Sequence, residues 1–157
     1  MSTFTRTLRR TVPAVVAGAV VGGLGTRPTS RWYRSLEKPP WNPPTAVFGP
    51  VWTALYAAIA ASTAKAMAEG SEEQRRSVER ALWVNMALNA GWCWLFFTAE
   101  RPRLALAEIV VLEASTLDLL RRVNQVDSTA HWALAPYAVW NGFAATLNAS
   151  IVLRNPS

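Results

Sequence analysis

The sequence predicts an all-α membrane protein, one five-transmembrane-helix bundle occupying residues 1–157. Three observations carry that expectation. The residues are 51% apolar and 17% charged, and the charge is gathered rather than spread. Lys and Arg cluster at Arg6–Arg10, Arg27–Lys38, Arg75–Arg80, Arg101–Arg103 and Arg121–Arg122, and the runs between these clusters are long and nearly uncharged, as membrane spans are. No stretch alternates Val, Ile and Thr with polar residues at period two, which argues against a β-barrel.

The first span, roughly 5–25, has a basic start and a short, glycine-rich apolar heart. A cleaved signal peptide has a similar outline. Small residues at Ala14, Gly18 and Gly22 point instead to a retained helix, because that four-residue spacing lets another helix approach closely. The second span covers about 44–68, with Pro44 suited to a first helical turn. The remaining three are expected at 80–98, 103–120 and 129–153. Glu69–Glu79 is polar with mixed charge and reads as a solvated connection. The turns after the third and fourth spans are short, so those neighbours run antiparallel. Five spans place the termini on opposite sides, with nine Lys/Arg on the N-terminal side and seven on the other, a weak bias towards an inside N-terminus.

Several function classes drop out. The net charge is +6, but no basic helix face or aromatic–basic repeat accompanies it, so nucleic acid is not an expected partner. Arginines reaching from span ends to the headgroups account for the charge. Fourteen of the sixteen basic residues are Arg and alanine is abundant, which suggests a GC-rich bacterium and hence its cell membrane. The single cysteine, Cys93, allows no disulfide within the chain. His131, beside Trp132, has no Cys, His or Asp cluster around it, so no metal is expected. No nucleophile elbow or phosphate-binding glycine loop is present, and the sequence offers no firm catalytic residue.

What remains is polar and aromatic patterning inside the spans. Trp52 and Tyr56 share a face; Asn85, Asn89, Trp92 and Phe96 share another; Tyr137, Trp140, Ala144 and Asn148 share a third. An amide in hydrocarbon must find a partner, so the asparagines should face the bundle interior, either as interhelical glue or as part of a site. Trp83 and Trp132 lie near span ends and read as interfacial belt residues. Rings and amides converging between helices describe a pocket for a flat, mostly apolar ligand, and a tetrapyrrole offers the π face that a sterol lacks. The fourth span carries Glu108, Glu113 and Asp118. Their spacing of five turns each about 140° from the last, so they form no acidic stripe. Glu108 and Asp118 read as headgroup-level residues neutralised by Arg103, Arg121 or Arg122, whereas Glu113 has no assigned role.

Between the first two spans lies a proline- and tryptophan-rich loop, 26–43, and the run K-P-P-W-N-P-P at 38–44 joins it to the second span. Proline fixes φ and lacks an N–H, so this stretch is neither helix interior nor central strand. From the loop into the second span, Arg31–Tyr56 (RWYRSLEKPPWNPPTAVFGPVWTALY) resembles the translocator protein family, also known as tryptophan-rich sensory proteins or peripheral-type benzodiazepine receptors. ALNAGWCWLFF at Ala87–Phe97 and PYAVWNGFAATLN at Pro136–Asn148 resemble two further blocks of that family, in the same order.

The resemblance implies a five-helix bundle, usually a homodimer, that binds porphyrin or haem. In animal members it also implies binding of cholesterol and synthetic drugs. Carried over, the pocket would use Trp32, Tyr33, Trp41, Trp52, Tyr56, Asn85, Asn89, Trp140, Ala144 and Asn148. The loop would act as a lid whose prolines reduce the entropy lost on closing. Trp52 and Trp140 would be the reactive residues in the photo-oxidative porphyrin degradation that the resemblance offers as an alternative activity; a sterol- or lipid-binding regulatory role is another. Two departures count. Cys93 and Trp94 stand where the family often has prolines, which predicts a straighter third span. Ala149 and Ser150 replace the aromatic positions before Arg154 that a sterol motif needs, which weakens the case for sterol.

Overall fold

The computed structural model describes residues 2–156, and the elements among them are all helical. They are α1 (Thr3–Gly25), α2 (Arg31–Ser35), α3 (Thr45–Glu69), α4 (Glu72–Cys93), α5 (Pro102–Asn124) and α6 (Ser128–Arg154). Five are long, and α2 is a short turn within the loop 26–43. Of the described helices, α3 alone is long and apolar enough throughout to cross a membrane on length and composition.

The connection expected to be solvated at Glu69–Glu79 is instead helical from Glu72. The local sequence explains it. Ser71 accepts from the Gln74 N–H, and the Gln74 side chain accepts from the Ser71 N–H, a reciprocal cap with Glu72 and Glu73 in the first turn. The mixed charge is the outer face of that helix. Arg76 pairs with Glu72 one turn away, and Glu79 pairs with Arg10 of α1 at 2.6 Å. The loop 26–43 is likewise not all loop, because Ser30 caps the short α2 by accepting from the Tyr33 N–H.

The third long helix does not run straight to its end, contrary to expectation. Trp94–Thr98 winds as a π turn, closed by Ala99 N–H to Trp94 O at 2.8 Å. Glu100 then takes φ 55° and Pro102 opens α5. The π turn is tied back to α1: Trp94 Nε1 donates to Val21 O, and Thr98 Oγ1 to Gly25 O, both at 2.8 Å.

Around the bundle the order is α1, α3, α6, α5, α4, closing again on α1. Thr7 and Thr11 of α1 donate to the carbonyls of Ala64 and Ala60 on α3, at 2.8 and 3.1 Å. Ala14, Gly18 and Gly22 are all buried, and Gly18 and Gly22 lie against Met86, Ala90 and Cys93 of α4. The small-residue stripe therefore serves packing within the chain. The half of the bundle holding the α3 C-terminus is solid: Ile59, Met67, Leu82, Leu119 and Leu134 are fully buried together there. The opposite half, on the side of the loop 26–43, holds a cavity beside a second buried cluster of Tyr33, Phe96, Ala105, Leu147 and Ile151.

Candidate functional site

Antiparallel winding brings the C-terminal ends of α1, α4 and α6 and the N-terminal end of α3 to one side of the molecule. Between them lies a cavity of about 430 Å³, within the size range of small-molecule sites. Its walls are ring-rich because the aromatic residues recur at helical spacing. Phe48, Trp52 and Tyr56 follow one face of α3 at steps of four, and Trp140, Phe143, Ala144 and Asn148 follow one face of α6. Trp52 meets Trp140 edge to face, with centroids 6.4 Å apart and planes at 88°. Trp92 stacks on Phe96 at 5.1 Å. The α1 wall is smooth, made of Ala19, Gly22, Gly23 and Thr26.

Of the residues expected to bind ligand, Tyr33, Trp52, Tyr56, Trp92, Trp140, Ala144 and Asn148 line the cavity. Trp92 and Asn148 are joined: Trp92 Nε1 donates to Asn148 Oδ1 at 3.1 Å, and Asn148 Nδ2 donates to the Pro102 carbonyl at 2.9 Å. Trp32 and Trp41 stand one layer back. Trp32 packs edge-on against Phe96, and Trp41, 46% exposed, packs against Phe143. Asn85, Asn89 and Tyr137 lie below the cavity rather than in its wall, in a buried network of hydrogen bonds. Tyr56 O–H donates to Asn89 Oδ1 at 3.0 Å, and Asn89 Nδ2 donates to the Tyr137 oxygen at 3.3 Å. Tyr137 O–H donates to Asn85 Oδ1 at 2.9 Å, and Asn85 Nδ2 donates to Thr116 Oγ1 at 2.9 Å. Glue and site are thus two ends of one chain of bonds that meet at Tyr56.

Phe48, Phe143 and Cys93 were not among the expected lining residues. Phe48 lies four before Trp52 and Phe143 three after Trp140, so the helical period carried a signal for both. The smooth α1 wall left no such signal, because glycine and alanine do not announce what they face.

The loop contributes Pro28 and Tyr33 to the cavity wall. Tyr33 is buried against Phe97 at 5.2 Å, and Lys38 Nζ sits 4.5 Å over its ring. Burial pushes the Tyr33 phenol above its ordinary pKa, and burial draws the Lys38 ammonium below its own. Pro39, within the loop, is buried.

Among the described residues no three His, Cys, Asp or Glu side chains gather as a metal site would require. His131 is a packing residue, with Nδ1 3.2 Å from the Leu120 carbonyl and its ring edge-on to Trp132. Asp118 is neutralised as expected, at 2.8 Å from Arg121 and 2.6 Å from Arg122. Both carboxylate oxygens of Glu108, and Oε2 of Glu113, are buried without a hydrogen-bond partner.

The TspO/MBR family model matches residues 11–154. The chain belongs to the TspO/MBR family. Proteins of this family are membrane proteins. The tryptophan-rich protein TspO of Chlorobaculum tepidum is 34% identical over 83% of this chain and 83% of its own length. The human translocator protein is 33% identical over 90% of this chain and 83% of its own. The tryptophan-rich protein TspO of Archaeoglobus fulgidus is 32% identical over 92% of this chain and 95% of its own.

Proposed function

We propose that this TspO/MBR protein is a membrane receptor or carrier that binds a porphyrin or haem-type tetrapyrrole between its helices. One observation carries the reading: a cavity of about 430 Å³ walled by Trp52, Trp92 and Trp140, with Tyr56 and Asn148 among its few polar groups and Tyr33 of the loop in its wall. Flat apolar rings stack on such walls, and a few fixed polar groups orient them. The five long helices act as five spans of a bacterial cell membrane, with lipid against the exposed Val16, Val20, Leu24, Val110, Val139 and Leu153. The working unit is a homodimer, and sterol is not the favoured ligand.

Titrating the purified protein with protoporphyrin and following the Soret band tests this. Binding should saturate and weaken about tenfold or more when Trp52 or Trp140 becomes Ala, since each removes a buried ring face. Unchanged affinity in both variants would dismiss the reading.

Light-driven degradation of the bound porphyrin by dioxygen is the second reading, favoured by the edge-to-face Trp52–Trp140 pair in the cavity wall. Under illumination in air it predicts a new absorbing product that disappears in Trp52→Phe or Trp140→Phe. Bleaching at the rate of free porphyrin rules it out.

A further inference from the structure

Tyr56 stands between the cavity and the buried chain of hydrogen bonds, and that chain decides where its hydroxyl proton points. The far end sets the direction. Thr116 Oγ1 donates to the Leu112 carbonyl at 2.9 Å, a group that can only accept. A hydroxyl has one proton, so towards Asn85 at 2.9 Å and Asn141 at 3.0 Å the Thr116 oxygen can only accept. Asn85 therefore turns its NH₂ to Thr116 and its carbonyl to Tyr137, whose O–H it receives at 2.9 Å. The Tyr137 oxygen, with its proton committed, accepts from the Asn89 NH₂. That turns the Asn89 carbonyl to Tyr56, whose O–H it receives at 3.0 Å. Each amide's orientation is set by the group before it. Reversing every bond would strip the Leu112 carbonyl of the Thr116 hydroxyl, a net loss of one hydrogen bond in a buried setting.

We propose that Tyr56 is thereby held as a hydrogen-bond acceptor at the cavity floor. It selects flat apolar ligands that present an N–H or O–H donor at one edge over those that present a bare carbonyl. The inference rests on the binding reading above and names the chemistry its ligand must carry. A phenolic oxygen that has given its proton away keeps acceptor capacity, and among the described residues no donor is directed at the Tyr56 oxygen. A ligand carbonyl there would meet lone pairs, whereas a ligand N–H would complete the chain. Trp52, 5.4 Å from the Tyr56 ring and tilted by 31°, supplies the adjoining surface on which such a ligand lies.

Carbazole and fluorenone are matched planar tricycles, one with an N–H and the other with a C=O. Their affinities for the purified full-length protein can be read from quenching of tryptophan fluorescence. The wild type should bind carbazole about tenfold more tightly than fluorenone, the effect of one hydrogen bond made against one acceptor left facing another. Tyr56→Phe should bring the two affinities together. Asn89→Leu releases the Tyr56 proton towards the cavity and should shift the preference towards fluorenone, a reversal that a packing role would not produce. Equal affinities in the wild type, or a carbazole preference that survives Tyr56→Phe, overturns the assignment. A protoporphyrin titration of the same sample separates the two readings. Porphyrin binding with equal probe affinities removes the role of Tyr56 alone. No binding of porphyrin or either probe removes the binding reading and this inference with it.

Discussion

The side-chain amide of Asn155 hydrogen-bonds both backbone groups of Glu37, accepting its N–H and donating to its carbonyl, each at 2.9 Å. The end of α6 thus holds the loop over the cavity as a neighbouring strand would, with Arg154 adding a 3.6 Å ion pair to the Glu37 carboxylate. A loop stiffened by Pro39, Pro40, Pro43 and Pro44 has little freedom left to lose when this contact forms.

Asn155→Ala removes both bonds at a partly exposed site and should favour loop opening by about 1 kcal/mol. The expected outcome is porphyrin release roughly fivefold faster in stopped-flow measurements. Global stability should change little, because the bundle core does not touch this contact.

The network below the cavity is more demanding. Asn85→Leu leaves the Tyr137 hydroxyl proton without its acceptor in a buried setting, while the Thr116 oxygen keeps its bonds to Leu112 and Asn141. Unfolding in detergent should show a loss of about 2 kcal/mol, at the upper end for polar contacts between membrane helices. A loss below a few tenths of a kcal/mol would mean that the network relaxes around the change.

Glycines separate by what surrounds them. A Cβ on Gly18 would meet the Met86 Cβ at 3.0 Å and the Met86 carbonyl at 3.3 Å, so α1 and α4 must move apart. Gly18→Ala should cost about 1–3 kcal/mol by overpacking. Gly142→Ala meets nothing within 4 Å and sits inside α6, so it should stabilise by about 0.5–1 kcal/mol through helix propensity. Parallel thermal melts of the two variants check the contrast.

Asp127 caps α6 by accepting the Ala130 N–H and pairs with Lys65 at 2.6 Å. The Lys65 ammonium and then that N–H hold its carboxyl below the ordinary aspartate range. A depressed folded-state pKa contributes stability above the unfolded value and loses it as pH falls through the folded one. Asp127→Asn keeps a good cap but removes the charge. Wild type should therefore melt higher than the variant at neutral pH, and the gap should close in acid below the normal aspartate pKa. A gap that persists there would assign the effect to packing.

Much of this molecule was legible in its order of residues. Clustered arginines and uncharged runs marked five helical segments, and three tryptophan-rich blocks marked the family. The four-residue spacing placed Trp52 with Tyr56 and Trp140 with Ala144 on shared faces. The helix start at Glu72 was also written there, in Ser71 and Gln74, but the polarity of Glu69–Glu79 masked it. A charged helix face and a solvated loop have the same composition and differ only in their caps.

The tertiary structure alone decided the rest. Periodicity gives the face a residue occupies, not what that face meets. Asn85, Asn89 and Trp92 share a side of α4, yet only Trp92 reaches the cavity, because depth along the bundle depends on how far each neighbouring helix extends. The direction of the Tyr56 proton is the extreme case. It is set by a carbonyl at Leu112, fifty-six positions along the chain, through bonds that exist only once α3, α4, α5 and α6 have packed together.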